Sequence, residues 1–226
     1  MGIDVEQLSL RERKKARTRA SLIEVSQRLF AERGYSVTTL DDICVEVEVT
    51  PQTLLRYFDS KARLAVAPEA DAVLDLRAVM QDPRRDRSAI SVWEEFVSRE
   101  VAEVLEPSMP GTRTHVRNLR AFQRWAEKDP VLVAMVTDVG RELGTVLAAG
   151  LGRDWDAPAE DLHSTIVASA LVAGRLAVWS RWLSDDDEPD GLLEEQLAVI
   201  AYVEEHLARS TAVHLAPLTS TMRITR

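Results

Sequence analysis

The chain has 226 residues, 29% of them charged, and a formal net charge of −9 at pH 7. That length suits one large or two modest domains, and the single cysteine, Cys44, excludes an internal disulfide. Arg175 interrupts the longest apolar run and no leader peptide is recognisable, so we expect a cytoplasmic protein that does not enter a membrane.

The charge is distributed unevenly along the chain. Residues 1–62 hold ten basic and ten acidic side chains, whereas the rest of the chain holds 18 basic and 27 acidic ones. The N-terminal part is therefore neutral overall, with its bases concentrated in one segment. Because DNA repels the acidic remainder, this asymmetry favours an approach to DNA through the N-terminal part.

The first predicted element is a basic arm that runs into a helix, after a mobile tail at 1–10. The arm, RERKKARTR at 11–19, carries six bases and one acid, Glu12. Apolar residues then recur at helical spacing from Leu22 to Phe30, and Gly34 is suited to end this helix. Basic arms bind phosphates and set the register on DNA.

Two short helices follow, within TTLDDICVEVEVTPQTLLRYFDSK at 38–61. Thr39 is placed to cap the first of them, with Asp42 three residues later. Thr50 caps the second, and Pro51 occupies the first helical position, where its missing N–H costs nothing. Two helices of this length around a short turn predict a helix-turn-helix, whose second helix reads the major groove.

The polar side chains of this second helix are the predicted DNA contacts. We expect base contacts mainly from its N-terminal turn, with Arg56 reaching a base edge or a phosphate. Contacts to the phosphates would come from the arm, from the Thr39 cap and from the C-terminal end of the motif at Tyr57 and Lys61. The full predicted set is Arg17, Arg19, Thr39, Thr50, Pro51, Gln52, Thr53, Arg56, Tyr57 and Lys61.

Residues 18–64 resemble the N-terminal domain of the TetR family of bacterial transcriptional regulators. The matching landmarks are LFAERGY at 29–35, TTLDDI at 38–43, VTPQTLLRYF at 49–58 and the pair Ser60 and Lys61. The chain departs from the family pattern at Glu48, where the family usually has glycine, and at Leu55, where it usually has an aromatic residue. Glu48 would then occupy a positive-φ position, with about 1 kcal/mol of strain.

The rest of the chain is predicted to be helical, so the fold class is all-α. We expect DNA-binding residues at 11–61, a helical domain at 62–209 and a mobile tail at 210–226. The resemblance implies that the helical domain binds a ligand and dimerises. Its predicted helices lie near 60–67, 69–81, 88–106, 112–128, 130–152, 158–184 and 190–209, and Pro68 should end or kink the first of these.

Large aromatic side chains are the candidate ligand contacts in this domain, since all five tryptophans lie there. They would line an apolar cavity for a small molecule, or they would simply fill the core and the interface. Four arginines between Arg113 and Arg124 also form one stripe, which would hold an anionic headgroup or would pair with neighbouring acids. The predicted ligand contacts are Trp93, Phe96, Arg117, Arg120, Phe122, Trp125, Met135 and Trp179.

The last two predicted helices, at 158–184 and 190–209, carry much apolar surface. They suit a two-fold homodimer interface, with an intrachain bundle as the alternative. The four histidines are scattered, and neither a phosphate loop nor a nucleophile elbow occurs, so we expect no catalytic residue, metal or cofactor.

Two functions therefore fit the sequence. The first is a homodimeric repressor that binds a palindromic double-stranded DNA operator and is released by an apolar or amphipathic effector. The second is a helical small-molecule or protein-binding module that no longer reads DNA, because Glu48 and Leu55 weaken the helix-turn-helix. The basic arm favours the first.

Overall fold

The computed structural model describes residues 9–105, 128–158, 160–184 and 191–208. Within these ranges all regular secondary structure is helical, which confirms the predicted all-α class. The helices are α1 Leu10–Arg33, α2 Leu40–Val47, α3 Pro51–Tyr57, α4 Lys61–Ala65, α5 Ala67–Gln81, α6 Ala89–Leu105, α7 Pro130–Asp154, α8 Leu162–Ser184 and α9 Leu192–Val203, which a π-helical turn at Glu204–Ala208 extends.

Helix α1 starts earlier than the sequence analysis placed it. The Glu12 N–H donates to Ser9 Oγ at 3.3 Å, and the Ser9 N–H donates to the Glu12 carboxylate at 2.9 Å. This reciprocal cap starts the helix at Leu10. The bases at 11–19 therefore lie on the first turns of a helix, and the expectation of a separate arm was wrong about their conformation.

The other predicted helices agree with the structure to within a few residues where it describes them. Helix α4 ends at Ala65, and Pro68 lies in the first turn of α5, so the proline follows a break at Val66. Residues 112–127 of the predicted helix at 112–128, residues 1–8 of the predicted tail at 1–10 and the predicted tail at 210–226 fall outside the described residues.

The chain divides into two compact units. The first comprises Met1–Asp75 and Glu103–Gly140, and its core holds α2, α3 and α4 against α1. The side chains at the centre of this core are exposed by 5% or less, as is Leu132 from the start of α7. They are Leu22, Leu29, Phe30, Ile43, Leu54, Phe58 and Leu64.

The second unit comprises Leu76–Ala102 and Arg141–Arg226. Two glycines permit close helix contacts in it. A Cβ atom on Gly150 would lie 2.6 Å from Met80 Sδ, and one on Gly174 would lie 2.3 Å from Val199 Cγ1, so α9 packs directly on α8. Arg85, almost fully buried, pairs with Asp154, which fastens the segment between α5 and α6 to the end of α7.

The turn between α2 and α3 is the strained point of the first unit. Glu48 ends α2 with φ 57° and ψ 43°, the left-handed conformation that the sequence analysis expected there. Its N–H donates to carbonyls of the last helical turn. A side chain with a Cβ atom costs about 1 kcal/mol in this conformation, and the carboxylate also faces the negative end of the α2 dipole.

Glu48→Gly should therefore raise the thermal melting temperature, by about 2 °C for a net gain near 1 kcal/mol. Differential scanning calorimetry would measure the change. Glu48→Ala is the matched control, because it removes the carboxylate but keeps the Cβ atom. If both variants melted at the same raised temperature, the charge and not the backbone strain would be the cause.

Candidate DNA-binding surface

Helix α3 is held by one apolar side and leaves the other side open. Leu54 is completely buried and Phe58 is 5% exposed, and both belong to the core of the first unit. The Phe58 N–H donates to Leu54 O and ends the helix. The position of this seven-residue helix is therefore set by packing, while Gln52 and Arg56 stay exposed outside the core.

The outward residues include most of the predicted base contacts. Thr50, Pro51, Gln52 and Arg56 are exposed, and Thr53 and Tyr57 are partly exposed. Thr50, Pro51, Gln52 and Thr53 lie at the N-terminus of α3, where helix amides and polar side chains meet a ligand first. Arg56 lies in the last turn, and Tyr57 packs partly against the core of the first unit. The Arg56 guanidinium lies 5.7 Å from the centre of the Tyr57 ring, which orients it along the helix.

Both helices of the motif begin with the caps that the sequence analysis expected. The Thr53 N–H donates to Thr50 Oγ1 at 3.2 Å, and the two threonine hydroxyls are 2.9 Å apart. At the start of α2 the Thr39 hydroxyl and N–H both donate to Asp42. These bonds lower the pKa of the Asp42 carboxyl, so its stabilising effect is present at neutral pH and is lost as the pH falls through that pKa.

Lys61 has a different environment from the one expected of a phosphate contact. Its Nζ donates to Tyr35 O at 2.9 Å and to Thr38 O at 3.1 Å, and it lies 4.3 Å from the centre of the Tyr35 ring. Two of its three protons are thus bound to backbone carbonyls. The structure therefore gives Lys61 an internal role, which is to tie the start of α4 to the segment between α1 and α2.

Arg19 is also engaged within the protein. Its guanidinium donates to both carboxylate oxygens of Asp71, at 2.5 and 2.7 Å, and lies 5.3 Å from the centre of the Phe58 ring. The pairing raises the pKa of Arg19. Arg17, two residues earlier, is exposed. Of the two arginines predicted to contact phosphates, only Arg17 keeps an open position.

The exposed bases of α1 extend this surface towards the N-terminus. Residues 9–17 are exposed on every side of the helix. Their basic members can approach phosphates without leaving a core, and a helix fixes the spacing between them. These residues are Arg11, Arg13, Lys14, Lys15 and Arg17.

Several residues that build the surface were not predicted from the sequence. The Ser9 cap had a local signal, serine followed three residues later by glutamate. Gln27, whose Nε2 donates to Ala65 O at 2.8 Å, and Asp71, which pairs with Arg19, had none. Their partners lie 38 and 52 residues away, a distance over which helical periodicity carries no information.

The described candidate ligand contacts fall in different places. Trp93 is completely buried and stacks on Phe96 at 5.3 Å, and Trp179 packs edge-on against Trp182 at 5.5 Å. These residues belong to the second unit. Met135 packs against the core of the first unit, and its role as a ligand contact stays a prediction. Arg117, Arg120, Phe122 and Trp125 lie outside the described residues.

Helices α8 and α9 expose apolar side chains beside the contact that joins them. On α8 they recur at helical spacing and include Ile166, Ala173 and Leu176; on α9 they include Leu197 and Tyr202. Helix α8 is also long and apolar enough to cross a membrane, with a mean hydropathy of 1.4. However, the guanidinium of Arg175 at its centre binds Glu100 through two nitrogens, as in a helix packed within protein.

Two family models match the chain. The model of "Bacterial regulatory proteins, tetR family" matches residues 22–67, and that of the "MftR C-terminal domain" matches residues 113–207. A curated relative, the HTH-type transcriptional regulator TcmR of Streptomyces glaucescens, is 28% identical over 194 residues, which are 81% of each chain.

Solved structures of similar fold cover the described architecture. One is SmeT in a complex with triclosan, with a TM-score of 0.59, 18% identity and coverage of 84% of this chain and 90% of that one. Another is Thermus thermophilus FadR, a TetR-family repressor in complex with lauroyl-CoA, with a TM-score of 0.57, 21% identity and coverage of 88% and 97%. At these identities the similarity establishes the fold alone.

Proposed function

We propose that this chain, which belongs to the TetR family of bacterial transcriptional regulators, is a cytoplasmic, ligand-responsive repressor that binds a palindromic operator as a homodimer and has no catalytic role. The observation that carries the proposal is the way in which helix α3 is packed. The apolar side of α3 is buried in a core, and the helix presents Thr50 and Gln52 at its start and Arg56 in its last turn to solvent.

The DNA-reading step follows from that arrangement. Gln52 is exposed and can donate and accept hydrogen bonds at a base edge in the major groove. The exposed bases of α1 supply positive charge for phosphates. One copy of α3 reaches only a few base pairs, so useful specificity requires two copies on two half-sites about one helical turn apart.

Selection from a random duplex library at low salt should therefore enrich a palindrome. Gln52→Ala should relax the preference at one base pair per half-site, by about 1–3 kcal/mol, and leave the other positions unchanged. Val45→Ala, an uncharged change at a side chain that is 79% exposed on α2, serves as the matched control. A library that yields no enriched palindrome with the wild-type protein would contradict the repressor and favour a module that does not read DNA.

The exposed apolar side chains of α8 and α9 support the dimer. In a single chain Leu176 is 44% exposed and Tyr202 is 62% exposed, and the neighbouring exposed positions include alanines that permit close approach. A two-fold axis would place the same residues of a second copy against them. Burying them would remove apolar surface from water, which is the main driving force of such association.

Leu197→Glu should separate the dimer, because it places an unpaired carboxylate in the interface at a cost of about 3 kcal/mol or more. Analytical ultracentrifugation would detect the monomer, and operator affinity should fall with it. Leu74→Glu is the matched control, since Leu74 is 55% exposed on α5 and belongs to the first unit. A Leu197→Glu variant that stayed dimeric at the same concentration would place the interface elsewhere.

The second unit is the proposed effector-binding part. Trp93 and Phe96 form one buried aromatic pair and Trp179 and Trp182 form another, and the indole N–H groups of Trp93 and Trp179 have no hydrogen-bond acceptor. Buried donors without partners are costly. An apolar or amphipathic compound that carries an acceptor oxygen would therefore gain binding free energy at such a pair in two ways. Its apolar surface would be buried against the aromatic rings, and its oxygen would accept a hydrogen bond from an indole N–H.

A compound can release the operator only if it binds the free conformer better than the DNA-bound one. Helix α5 contributes Ala67–Asp75 to the first unit and Leu76–Gln81 to the second, so we propose that it transmits this preference. The spacing of the two recognition helices in the dimer is the quantity that it would change.

Screening acyl compounds and small aromatic hydrophobes should yield one that releases the operator and changes tryptophan fluorescence. Trp179→Phe should weaken its binding several-fold, for a loss of about 1 kcal/mol. Trp155→Phe, a change in the separate stack of Trp155 on His163, is the matched control. Equal effects of the two variants, or a ligand that binds tightly but leaves operator affinity unchanged at saturation, would contradict this site.

A further inference from the structure

Arg19 lies at a junction of three helices in the first unit. It projects from α1, and its two terminal nitrogens donate to the two carboxylate oxygens of Asp71 on α5, at 2.5 and 2.7 Å. The same guanidinium lies 5.3 Å from the centre of the Phe58 ring, at the residue that ends α3. One side chain therefore contacts both the end of the recognition helix and α5.

The geometry of this junction is that of a bidentate contact between a guanidinium and a carboxylate. A guanidinium that donates two parallel bonds to one carboxylate is fixed in plane and direction, which a single surface ion pair does not achieve. The Arg19 and Asp71 side chains are 38% and 36% exposed, so the pair is partly shielded from solvent. Phe58, on which the guanidinium rests, is 5% exposed.

We propose that the Arg19–Asp71 pair is a positioning contact that fixes the end of the recognition helix relative to α5, so that operator affinity depends on Asp71 although Asp71 does not contact DNA. This inference rests on the proposed repressor function. It assigns Arg19 a role different from the phosphate contact expected from the sequence. It also makes α5 the helix on which the orientation of α3 depends.

The two roles of Arg19 predict opposite effects of Asp71→Asn. If Arg19 is a positioning residue, the variant loses the fixed contact and operator affinity falls, by about three- to tenfold. If Arg19 is a phosphate contact held back by Asp71, the variant frees it. Operator affinity then rises, and the dependence of log K on log salt steepens by about one phosphate.

Asp75→Asn is the matched control. Asp75 lies one turn further along α5 and is exposed. Its replacement by asparagine changes the net charge by the same amount as Asp71→Asn. It reports how much any loss of negative charge favours DNA. Fluorescence anisotropy with the selected operator at several salt concentrations would measure all variants, and thermal melting would verify that each is folded at the assay temperature.

Arg19→Lys provides the second test. Lysine keeps the positive charge but lacks the planar group that makes two bonds to Asp71 and rests on Phe58, so a positioning role predicts that operator affinity falls by about three- to tenfold. If residue 19 is a phosphate contact, the variant should leave operator affinity nearly unchanged, because lysine also binds phosphates.

The outcomes separate this proposal from the proposed function. The positioning role alone would be overturned if the wild-type protein bound the operator and Asp71→Asn bound it as tightly as, or more tightly than, Asp75→Asn. A folded Arg19→Lys variant that binds the operator as tightly as the wild-type protein would overturn it as well. A wild-type protein that binds no duplex would overturn both.

Discussion

The DNA-binding surface depends on the burial of two side chains, Leu54 and Phe58. Helix α3 has only seven residues, and an isolated helix of that length is unstable in water because its first turn is costly to form. Tertiary packing must therefore supply the stability that the helix lacks. The core of α1, α2 and α4 does so by enclosing one side of α3, and the residues on the other side are left free to meet DNA.

Hydrogen-bonding side chains then fix where each short helix begins. Ser9, Thr39, Thr50 and Ser60 each accept a backbone N–H at the start of a helix. Such caps limit fraying at the ends, where the helix has no internal partners for its amides. Lys61 adds a tether between α4 and the segment after α1. The motif is thus defined by packing on one side and by polar caps at its ends.

The same interactions decide which charges remain for function. Arg19 and Lys61 are held by partners within the first unit, whereas the bases on the first turns of α1 are exposed. In the second unit, Arg85 and Arg175 are also held, by Asp154 and Glu100. The number of bases in a segment therefore overstates its capacity to bind phosphates, since a guanidinium already paired with a carboxylate must lose that pair first.

The sequence by itself determined the all-α class and the helix-turn-helix with its caps at Thr39 and Thr50, and the resemblance to the TetR family added the left-handed residue at Glu48. The class and the caps depend on local spacing and on the conformational preferences of single residues. Only the tertiary structure decided that Arg19 pairs with Asp71, that Lys61 binds two carbonyls and that Met135 packs on the core of the first unit. Each of these contacts joins residues that are far apart in the chain, and which side chains meet across such distances is set by how the helices pack.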